Sequence, residues 1–167
     1  DESGRPARID KGFTWENPMS SHGLMHTVIA NCHSGDPYKI DTLFLYMANM
    51  AWNSSMNTEE TMKKLTEKDA NTGEYKIPKI IYSDSYYSET VAFADLILPD
   101  TTYLERYDCI SLLDRPIGEP DQVSDAIRWP VVKPDRDVRS FQDVLLQLGA
   151  LLELPGMVDN NKKPLYE

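Results

Sequence analysis

Residues 79–107 read KIIYSDSYYSETVAFADLILPDTTYLERY and decide the fold of the chain. The apolar run at residues 80–82 has strand propensity and stops at Ser83-Asp84, two residues that turn readily. A second apolar run, at residues 96–98, is closed by a proline, which cannot donate to a sheet ladder. Residues 88–94 between them are long enough for about two helical turns. Two short strands joined through a helix predict a βαβ unit with parallel, buried strands.

The same alternation extends upstream of this stretch. Residues 41–46 form a further apolar strand, and a helix with acids in its first turn is expected from Asn57 to about Lys68. Successive β-α-β units are right-handed and place parallel strands side by side. The sequence therefore predicts a three-layer α/β fold, in which a short parallel sheet carries helices on both faces, as in half of a doubly wound nucleotide-binding fold. The three strands are expected at residues 41–46, 78–82 and 95–98.

Further elements flank the predicted sheet. A helix capped by Ser20 or Ser21 is expected to end at Cys32, before a glycine. Residues 109–113 and 126–132 flank a proline-containing loop and predict a hairpin-like extension. Ser140 is the predicted cap of a last helix, whose apolar residues recur at helical spacing and are expected to pack on the sheet. The last helix is expected to run from Phe141 to about Leu154, and its apolar face consists of Phe141, Val144, Leu145, Leu148 and Leu152.

The length of 167 residues suits one domain in three parts: an extended entry segment at 1–18, a single α/β domain at 19–156, and a flexible tail at 157–167. The formal net charge of −10 disfavours nucleic acid and anionic membranes as partners. No run approaches the ~20 apolar residues of a membrane span, so no direct membrane contact is expected. The first residue is Asp rather than Met, which suits a segment of a longer protein.

Cysteine and histidine give little sign of a metal site. Cys32 and Cys109 lie far apart and in no Cys-x-x-Cys pair, so a four-cysteine cluster is excluded within the chain, while a disulfide stays open. His22 and His26 have the spacing of four residues that can hold a metal. No third ligand accompanies them, so surface or capping histidines are the better interpretation.

Polar residues follow the predicted strands at their carboxyl ends, where ligands of such sheets bind. Ser83 and Asp84 can accept hydrogen bonds from guanine N–H groups or ribose hydroxyls, and Arg106 suits a phosphate or a stacked ring. The competing interpretation of Arg106 is an ion pair with Glu105 or Asp108. The fingerprints Gly-x-x-x-x-Gly-Lys and Gly-x-Gly-x-x-Gly are absent from the sequence, so a bound nucleotide must be held by side chains and loops.

Three segments resemble the large catalytic subunits of the molybdopterin oxidoreductases, the dimethyl-sulfoxide-reductase family. They are ETVAFADLILPDTTYLER at residues 89–106, GDPYKIDTLFLYMANM at residues 35–50, and the final helix after RSFQD at residues 139–143. The insert DRPIGEP at residues 114–120 is most similar to the thiosulfate, polysulfide and sulfite branch. The resemblance covers the chain from about residue 31 to residue 154.

In that family the matching α/β domain binds one of two molybdopterin guanine dinucleotides. The resemblance implies that side chains at the strand ends and at the start of the last helix contact this cofactor. These side chains are Asn49, Ser83, Asp84, Arg106 and Gln142. The first loop departs from the family's pattern twice, because Met47 stands where Gly is common and Met50 where Pro is common.

The resemblance also implies what other segments supply. In the family, the molybdenum ligand, the iron–sulfur cluster and the domains that close over the pterins belong to the rest of the catalytic subunit, and an iron–sulfur electron-transfer subunit is its partner. The chain is therefore expected to be a fragment of a prokaryotic molybdenum oxidoreductase, from the cytoplasm or the periplasm, that has no catalytic residue and is inactive alone. Two alternatives stay open: an acidic interaction or scaffold domain that keeps the fold without a ligand, and a small hydrolase that uses Asp84 and Glu105.

Overall fold

The protein is described by a computed structural model at residues 27–36, 38–53, 57–111 and 125–166. Helices and strands alternate along the chain before a hairpin and a last helix. The elements in order are α1 (Val28–Ser34), β1 (Thr42–Tyr46), α2 (Thr58–Thr66), β2 (Lys79–Asp84), a 3-10 helix (Glu89–Phe93), β3 (Leu96–Pro99), β4 (Asp108–Ser111), β5 (Asp125–Arg128) and α3 (Phe141–Leu151).

The central sheet has three strands in the order β1-β2-β3. β1 and β2 run parallel, with Thr42 opposite Lys79 and Tyr46 opposite Ser83. Between β2 and β3, the Asp95 N–H donates to the Ile80 carbonyl at 2.8 Å and the Asp100 N–H donates to the Asp84 carbonyl at 2.9 Å. The partners advance in the same direction on both strands, so this pair is parallel as well. The predicted α/β class with a short parallel sheet is confirmed. The prediction that its strands are buried is wrong for β3, in which Leu96 and Ile97 are exposed, because the pattern of a short apolar run does not show what covers it.

The chain divides into two compact units, and each is described by itself. The first unit contains residues 1–83 and 87–97, and the second contains residues 84–86 and 98–167. The predicted single domain at 19–156 stays a prediction, since its first boundary lies outside the described residues.

The core of the first unit is built from alternate residues of the strands and from one side of each helix. Leu43 and Leu45 of β1 are buried, as are Ile80 and Tyr82 of β2, because side chains two apart in a strand point to the same face. The remaining buried apolar residues are Ile29, Cys32, Met50, Ala51, Leu65, Ile77 and Val91. Burial raises the pKa of the Cys32 thiol to about 11, so this cysteine behaves as a small apolar side chain.

The helix predicted to begin at Asn57 is observed as α2. The Asn57 side chain accepts a hydrogen bond from the Glu60 N–H at 3.1 Å, which satisfies one of the open donors of the first turn. Glu59 pairs with Lys63 and Glu60 with Lys64, each four residues on, so the outer face of α2 is charged. The hydrogen bond and the charge of Lys64 lower the pKa of Glu60.

The segment at residues 88–94 corrects the prediction of two α-helical turns. It forms a 3-10 helix at Glu89–Phe93. Ser88 makes no side-chain cap and instead hydrogen-bonds through its hydroxyl to the Tyr82 hydroxyl at 3.1 Å. The neighbouring Thr90 N–H and hydroxyl both donate to Asn49 in a distant loop. β-branched residues favour α-helices weakly, and the polar groups of Ser88 and Thr90 bind partners outside the segment. The short 3-10 helix is therefore the more stable arrangement.

The structure describes the end of the first predicted helix but not its start or the candidate metal ligands. α1 ends as predicted before Gly35, which has a φ of 68°, the left-handed conformation that glycine adopts most readily. The predicted start at Ser20 or Ser21 and the pair His22 and His26 lie outside the described residues. The described ranges contain no group of three metal-binding side chains, and their helices are too short or too polar to cross a membrane. The cysteines Cys32 and Cys109 are both free thiols.

The predicted hairpin is observed in the second unit. β4 and β5 pair antiparallel, with Asp108 opposite Arg128 and Ser111 opposite Asp125. The loop between them falls outside the described ranges. Residues 157–166 follow α3 as a hydrogen-bonded turn, in which the Leu165 N–H donates to the Met157 carbonyl at 3.0 Å. The predicted flexibility of this tail stays a prediction.

Helix α3 begins as the sequence predicts but does not pack as expected. The Ser140 hydroxyl accepts from the Asp143 N–H at 3.3 Å and caps the helix. The expectation that its apolar face packs on the sheet is wrong for Leu145, Leu148 and Leu152, which are exposed. Helical spacing identifies an apolar face, but it does not identify the surface that covers it.

Candidate functional site

The loop after β1 forms one part of the candidate site, in the first unit. The Met47 N–H donates to the Ser83 carbonyl at 3.0 Å, which fixes the start of this loop to the end of β2. Met47 has a φ of 47°, in the left-handed region where an L side chain is strained and glycine is favoured. The loop therefore keeps the conformation that a glycine would take, although methionine occupies the position.

Methionine at the other unusual position, Met50, has a structural role. Its side chain is buried in the core of the first unit, and its N–H donates to the Ala48 carbonyl at 2.7 Å. A proline at this position has no N–H and could not make that bond. The loop thus gains an apolar contact and a backbone hydrogen bond from the residue that departs from the family's pattern.

Asn49 is held firmly by Glu89 and Thr90, two residues that lie far from it in the sequence. Its side-chain oxygen accepts from the Thr90 N–H at 3.0 Å and from the Thr90 hydroxyl at 2.6 Å. Its amide nitrogen donates to Glu89 at 2.6 Å, which lowers the pKa of that carboxyl. Thr90 in turn accepts from the Ala51 N–H at 2.8 Å. This network orders the loop after β1, so Asn49 positions backbone as well as offering an amide.

Ser83 is the one predicted site residue whose side chain is buried without a described hydrogen-bond partner. It lies at the carboxyl end of β2 and is 1% exposed. Its hydroxyl has no hydrogen-bond partner within the described part of the chain. A buried hydroxyl without a partner costs about 1–3 kcal/mol. This position therefore has an unused donor and acceptor where the sequence predicts a ligand.

Asp84 opens the second unit with a local turn. One of its carboxylate oxygens accepts from the Tyr86 N–H at 3.1 Å, the arrangement of an Asx turn. The next residue, Ser85, donates its hydroxyl to the Thr101 carbonyl at 2.6 Å. The end of β2 is thereby joined to the segment that follows β3.

Asp100 organises this second unit, and its carboxylate is fully buried. One oxygen accepts from the Thr101 N–H at 2.7 Å and from the Phe141 N–H at 3.0 Å, at the first turn of α3. The other oxygen accepts from Arg106 Nη1 at 2.7 Å. A single carboxylate thus links the end of β3, the buried arginine and the start of the last helix.

Arg106 forms an ion pair, as the competing interpretation predicts. Its main partner is Asp100 rather than Glu105 or Asp108. It binds Asp100, and its Nε lies 3.7 Å from Asp108, whereas Glu105 pairs with a different arginine. Its guanidinium also lies 4.8 Å from the centre of the Tyr103 ring, a cation–π contact. Arg106 and Gln142 line one cavity of about 740 Å³. The structure brings these two predicted residues to one concave surface of the second unit.

Glu105 has the geometry of a structural carboxylate. Both of its oxygens accept from Arg136, at 2.6 and 2.7 Å, and one also accepts from the Thr102 N–H at 2.8 Å. The hydrogen bonds from Arg136 and from Thr102 lower the pKa of Glu105 to about 2. A carboxyl that stays ionised and fully bonded is poorly suited to carry protons, so the geometry lends no support to a hydrolytic pair of Asp84 and Glu105.

Replacing Arg136 by Gln is expected to destabilise the protein in a pH-dependent way. The folded-state pKa of Glu105 lies below its ordinary 4.5, so the stabilisation is present above that pH and is lost as the pH falls toward 2. The difference in free energy of unfolding between wild type and Arg136→Gln should therefore shrink between pH 5 and pH 2, in urea titrations. The exposed Lys133→Gln variant removes the same charge and is the control. A difference that does not change with pH would contradict the assignment.

Sequence reasoning missed two residues of this region, Thr90 and Asp100. Thr90 lies within a segment expected to be regular helix, and no local pattern shows that it bonds Asn49. Asp100 follows the third predicted strand, but no local pattern shows its hydrogen bond to Phe141, which lies 41 residues further along the chain. The available signal was its position directly after β3, since ligand-binding side chains gather at the carboxyl ends of parallel strands.

Comparison with known proteins supports the resemblance. The chain is 57% identical over 166 residues to a subunit of sulfite dehydrogenase from Allochromatium vinosum, and the match covers 99% of this chain. The chain belongs to the molybdopterin oxidoreductases. Membership implies a molybdenum–pterin cofactor in the whole enzyme. The predicted family is confirmed, and this relative is a sulfite enzyme, as the similarity of the insert at residues 114–120 suggested.

Other relatives agree with this molybdopterin assignment. A subunit of tetrathionate reductase from Salmonella typhimurium is 27% identical over 143 residues, which is 82% of this chain and 13% of that protein. Acetylene hydratase from Pelobacter acetylenicus matches in structure with a TM-score of 0.57, covering 79% of this chain and 16% of that chain. At 16% identity, this likeness shows the fold alone. No family model matches the chain. The chain spans 17% of the length of the sulfite dehydrogenase relative.

Proposed function

We propose that this chain forms part of a molybdopterin guanine dinucleotide site in the catalytic subunit of a molybdenum oxidoreductase. The observation that carries the proposal is the buried Ser83 hydroxyl, which has no hydrogen-bond partner within the described residues. Buried polar groups in folded proteins are nearly always paired, so a ligand is the natural partner at this strand end. A guanosine group offers N–H donors, hydroxyls and acceptors that suit a serine hydroxyl.

The other residues proposed to contact the cofactor have different roles. Asp84 supplies a carboxylate directly after Ser83, and a carboxylate pairs well with the neighbouring N–H groups of a guanine. Asn49 holds the loop after β1 through Thr90, so its contribution is to position the backbone as well as to bind. In the second unit, Gln142 offers an amide to the cavity that Arg106 also lines. Arg106 contributes its positive charge while Asp100 fixes its orientation.

The reaction itself is proposed to take place on other segments of the parent subunit. When bound, the molybdenum–pterin cofactor supplies transfer of electron pairs, often with an oxygen or sulfur atom. The named relatives are a sulfite dehydrogenase and a tetrathionate reductase, so the proposed substrate class of the parent is a sulfur oxyanion. Both relatives are subunits of larger enzymes, which suits an iron–sulfur electron-transfer partner for the parent. The isolated chain is proposed to be inactive.

Replacing Ser83 by Ala is expected to separate binding from folding. In the 167-residue chain the free energy of unfolding should stay unchanged or rise by up to about 1 kcal/mol, because an unpaired buried hydroxyl is removed. In the full parent subunit the same change should lower the guanosine monophosphate released by acid hydrolysis toward the amount that one dinucleotide supplies, because the resemblance implies that this domain binds one of two. Urea titration and nucleotide quantification measure the two effects.

A matched serine, Ser88, provides the control for Ser83. Its hydroxyl already has a partner in the Tyr82 hydroxyl at 3.1 Å, so Ser88→Ala should destabilise the chain by about 1 kcal/mol. It should leave the guanosine content of the folded parent unchanged. Unchanged guanosine content in Ser83→Ala, or a parent that carries no guanosine nucleotide at all, would contradict the proposal and favour a scaffold that keeps the fold without a ligand.

A further inference from the structure

Helix α3 has the composition of a buried helix, although much of its surface is exposed. Its eleven residues read FQDVLLQLGAL and include Asp143 as the single charged residue. α2, which reads TEETMKKLT, places two glutamates and two lysines on its outer face. A surface helix is polar on its outer side, whereas a helix that is apolar on nearly all sides belongs in an interior. The sequence of α3 therefore suits a buried position, whereas the sequence of α2 suits a surface position.

The exposed side of α3 forms a continuous apolar surface, called the leucine face here. It consists of Leu145, Leu148, Leu151 and Leu152, which are 45%, 37%, 79% and 67% exposed. Leu148, Leu151 and Leu152 follow Leu145 by three, six and seven positions, so the four residues lie on the same side of the helix. Single exposed leucines are ordinary on protein surfaces, but a contiguous set marks a contact site.

A cavity of about 840 Å³ lies beside the leucine face, between α3 and the turn at residues 157–166. Gly149 of α3 is buried, and a Cβ at this position would come within 2.8 Å of the Met157 side chain, so α3 and the turn pack closely at this point. Leu146, Leu151 and Tyr166 supply apolar lining. The space is large enough to take several side chains of a partner.

The charged residues of this cavity indicate the chemistry of its occupant. Arg139 and Lys162 line it together with one acid, Asp143, in a chain whose net charge is −10. Arg139 donates to Gln147 at 2.5 Å and Lys162 to Glu153 at 2.9 Å, which holds both cations in place. An apolar segment that carries an acidic side chain would match this combination of leucines and cations.

We propose that the leucine face and its cavity form an internal interface, which receives an apolar segment with an acidic side chain from the rest of the parent subunit. This rests on the proposed function, in which the chain is one part of a longer catalytic subunit. The sulfite dehydrogenase relative is long enough to supply such a segment, since this chain spans 17% of it. Permanent interfaces are more apolar than transient ones, and an exposed leucine surface on a separate protein would invite aggregation. The same polypeptide is therefore the better partner than a dissociable one.

The substitution Leu151→Glu tests this interface in two contexts. In the 167-residue chain the thermal midpoint should stay within a degree of wild type, because the side chain is exposed. In the full parent subunit the midpoint should fall by several degrees, or the folded subunit should fail to accumulate, because the new carboxylate would be buried and would repel the acidic side chain of the incoming segment. Met62→Glu on the charged helix α2 makes the same kind of change and should have little effect in either context. An unchanged parent would overturn the proposal, as would an equal loss in both contexts.

Chemical labelling gives a second readout that does not depend on stability. Leu151→Cys should react with a maleimide at least tenfold more slowly in the parent than in the chain alone, as followed by mass spectrometry of the α3 peptide. Asp135→Cys, at a position whose side chain is 94% exposed, reports general access. Equal rates at position 151 would overturn the interface. A protected position 151 in a parent that lacks guanosine nucleotide would leave the interface standing and reject the proposed cofactor site instead.

Discussion

Asp100→Asn is expected to lower the free energy of unfolding of the 167-residue chain by about 3 kcal/mol. The change keeps the shape of the side chain and its acceptor toward the Phe141 N–H, but it removes the charge that faces Arg106. Breaking a buried ion pair from one side costs about 3–5 kcal/mol, because the remaining charge is left without compensation. The lower end applies here, since Asp108 lies 3.7 Å from the same guanidinium. Urea titration followed by circular dichroism measures the loss.

Two further variants decide whether Asp100 acts through Arg106. Asp100→Asn combined with Arg106→Met removes both charges and should recover most of the lost stability, because no buried charge is then unpaired. Asp135→Asn makes the same chemical change at a position whose side chain is 94% exposed, and should shift stability by at most about 0.5 kcal/mol. A loss below about 1 kcal/mol for Asp100→Asn would show that the Arg106 charge is solvated rather than buried.

Tyr82→Ala is expected to cost about 3–5 kcal/mol of the free energy of unfolding. Tyr82 is 0% exposed and lies in β2 directly before Ser83, so the change leaves a large cavity under the candidate site. It also removes the hydroxyl that bonds Ser88 at 3.1 Å. The measurement is again urea titration, with amide hydrogen exchange of β1 and β2 to show where the structure loosens.

The phenylalanine variant separates the two contributions of Tyr82. Tyr82→Phe keeps the ring and should cost only about 1 kcal/mol, the net value of one hydrogen bond. Tyr87→Ala removes an exposed ring and should change stability by at most about 0.5 kcal/mol. If Tyr82→Phe costs as much as Tyr82→Ala, the hydroxyl rather than the volume of the ring holds the end of β2 in place.

Local sequence patterns were sufficient for most of the elements. The apolar runs of β1, β2 and β3 were recognisable because each is short and is bounded by turn residues. The caps at Asn57 and Ser140 depend on a hydrogen bond reaching three residues along the chain, so the sequence shows them directly. The 3-10 helix at Glu89–Phe93 was missed, because its shortness results from bonds to Asn49 and Tyr82.

The sequence by itself determined the parallel α/β pattern, the strand ends that carry Ser83 and Asp84, and the family resemblance that the relatives confirm. Periodicity, capping and motif order act over a few residues, so they can be read from the chain. The tertiary structure alone decided that Asp100 joins Arg106 to α3, that Asn49 is held by Thr90, and that the Ser83 hydroxyl is buried without a described partner. These features depend on groups brought together by folding and on exclusion of water, and neither leaves a local pattern in the sequence.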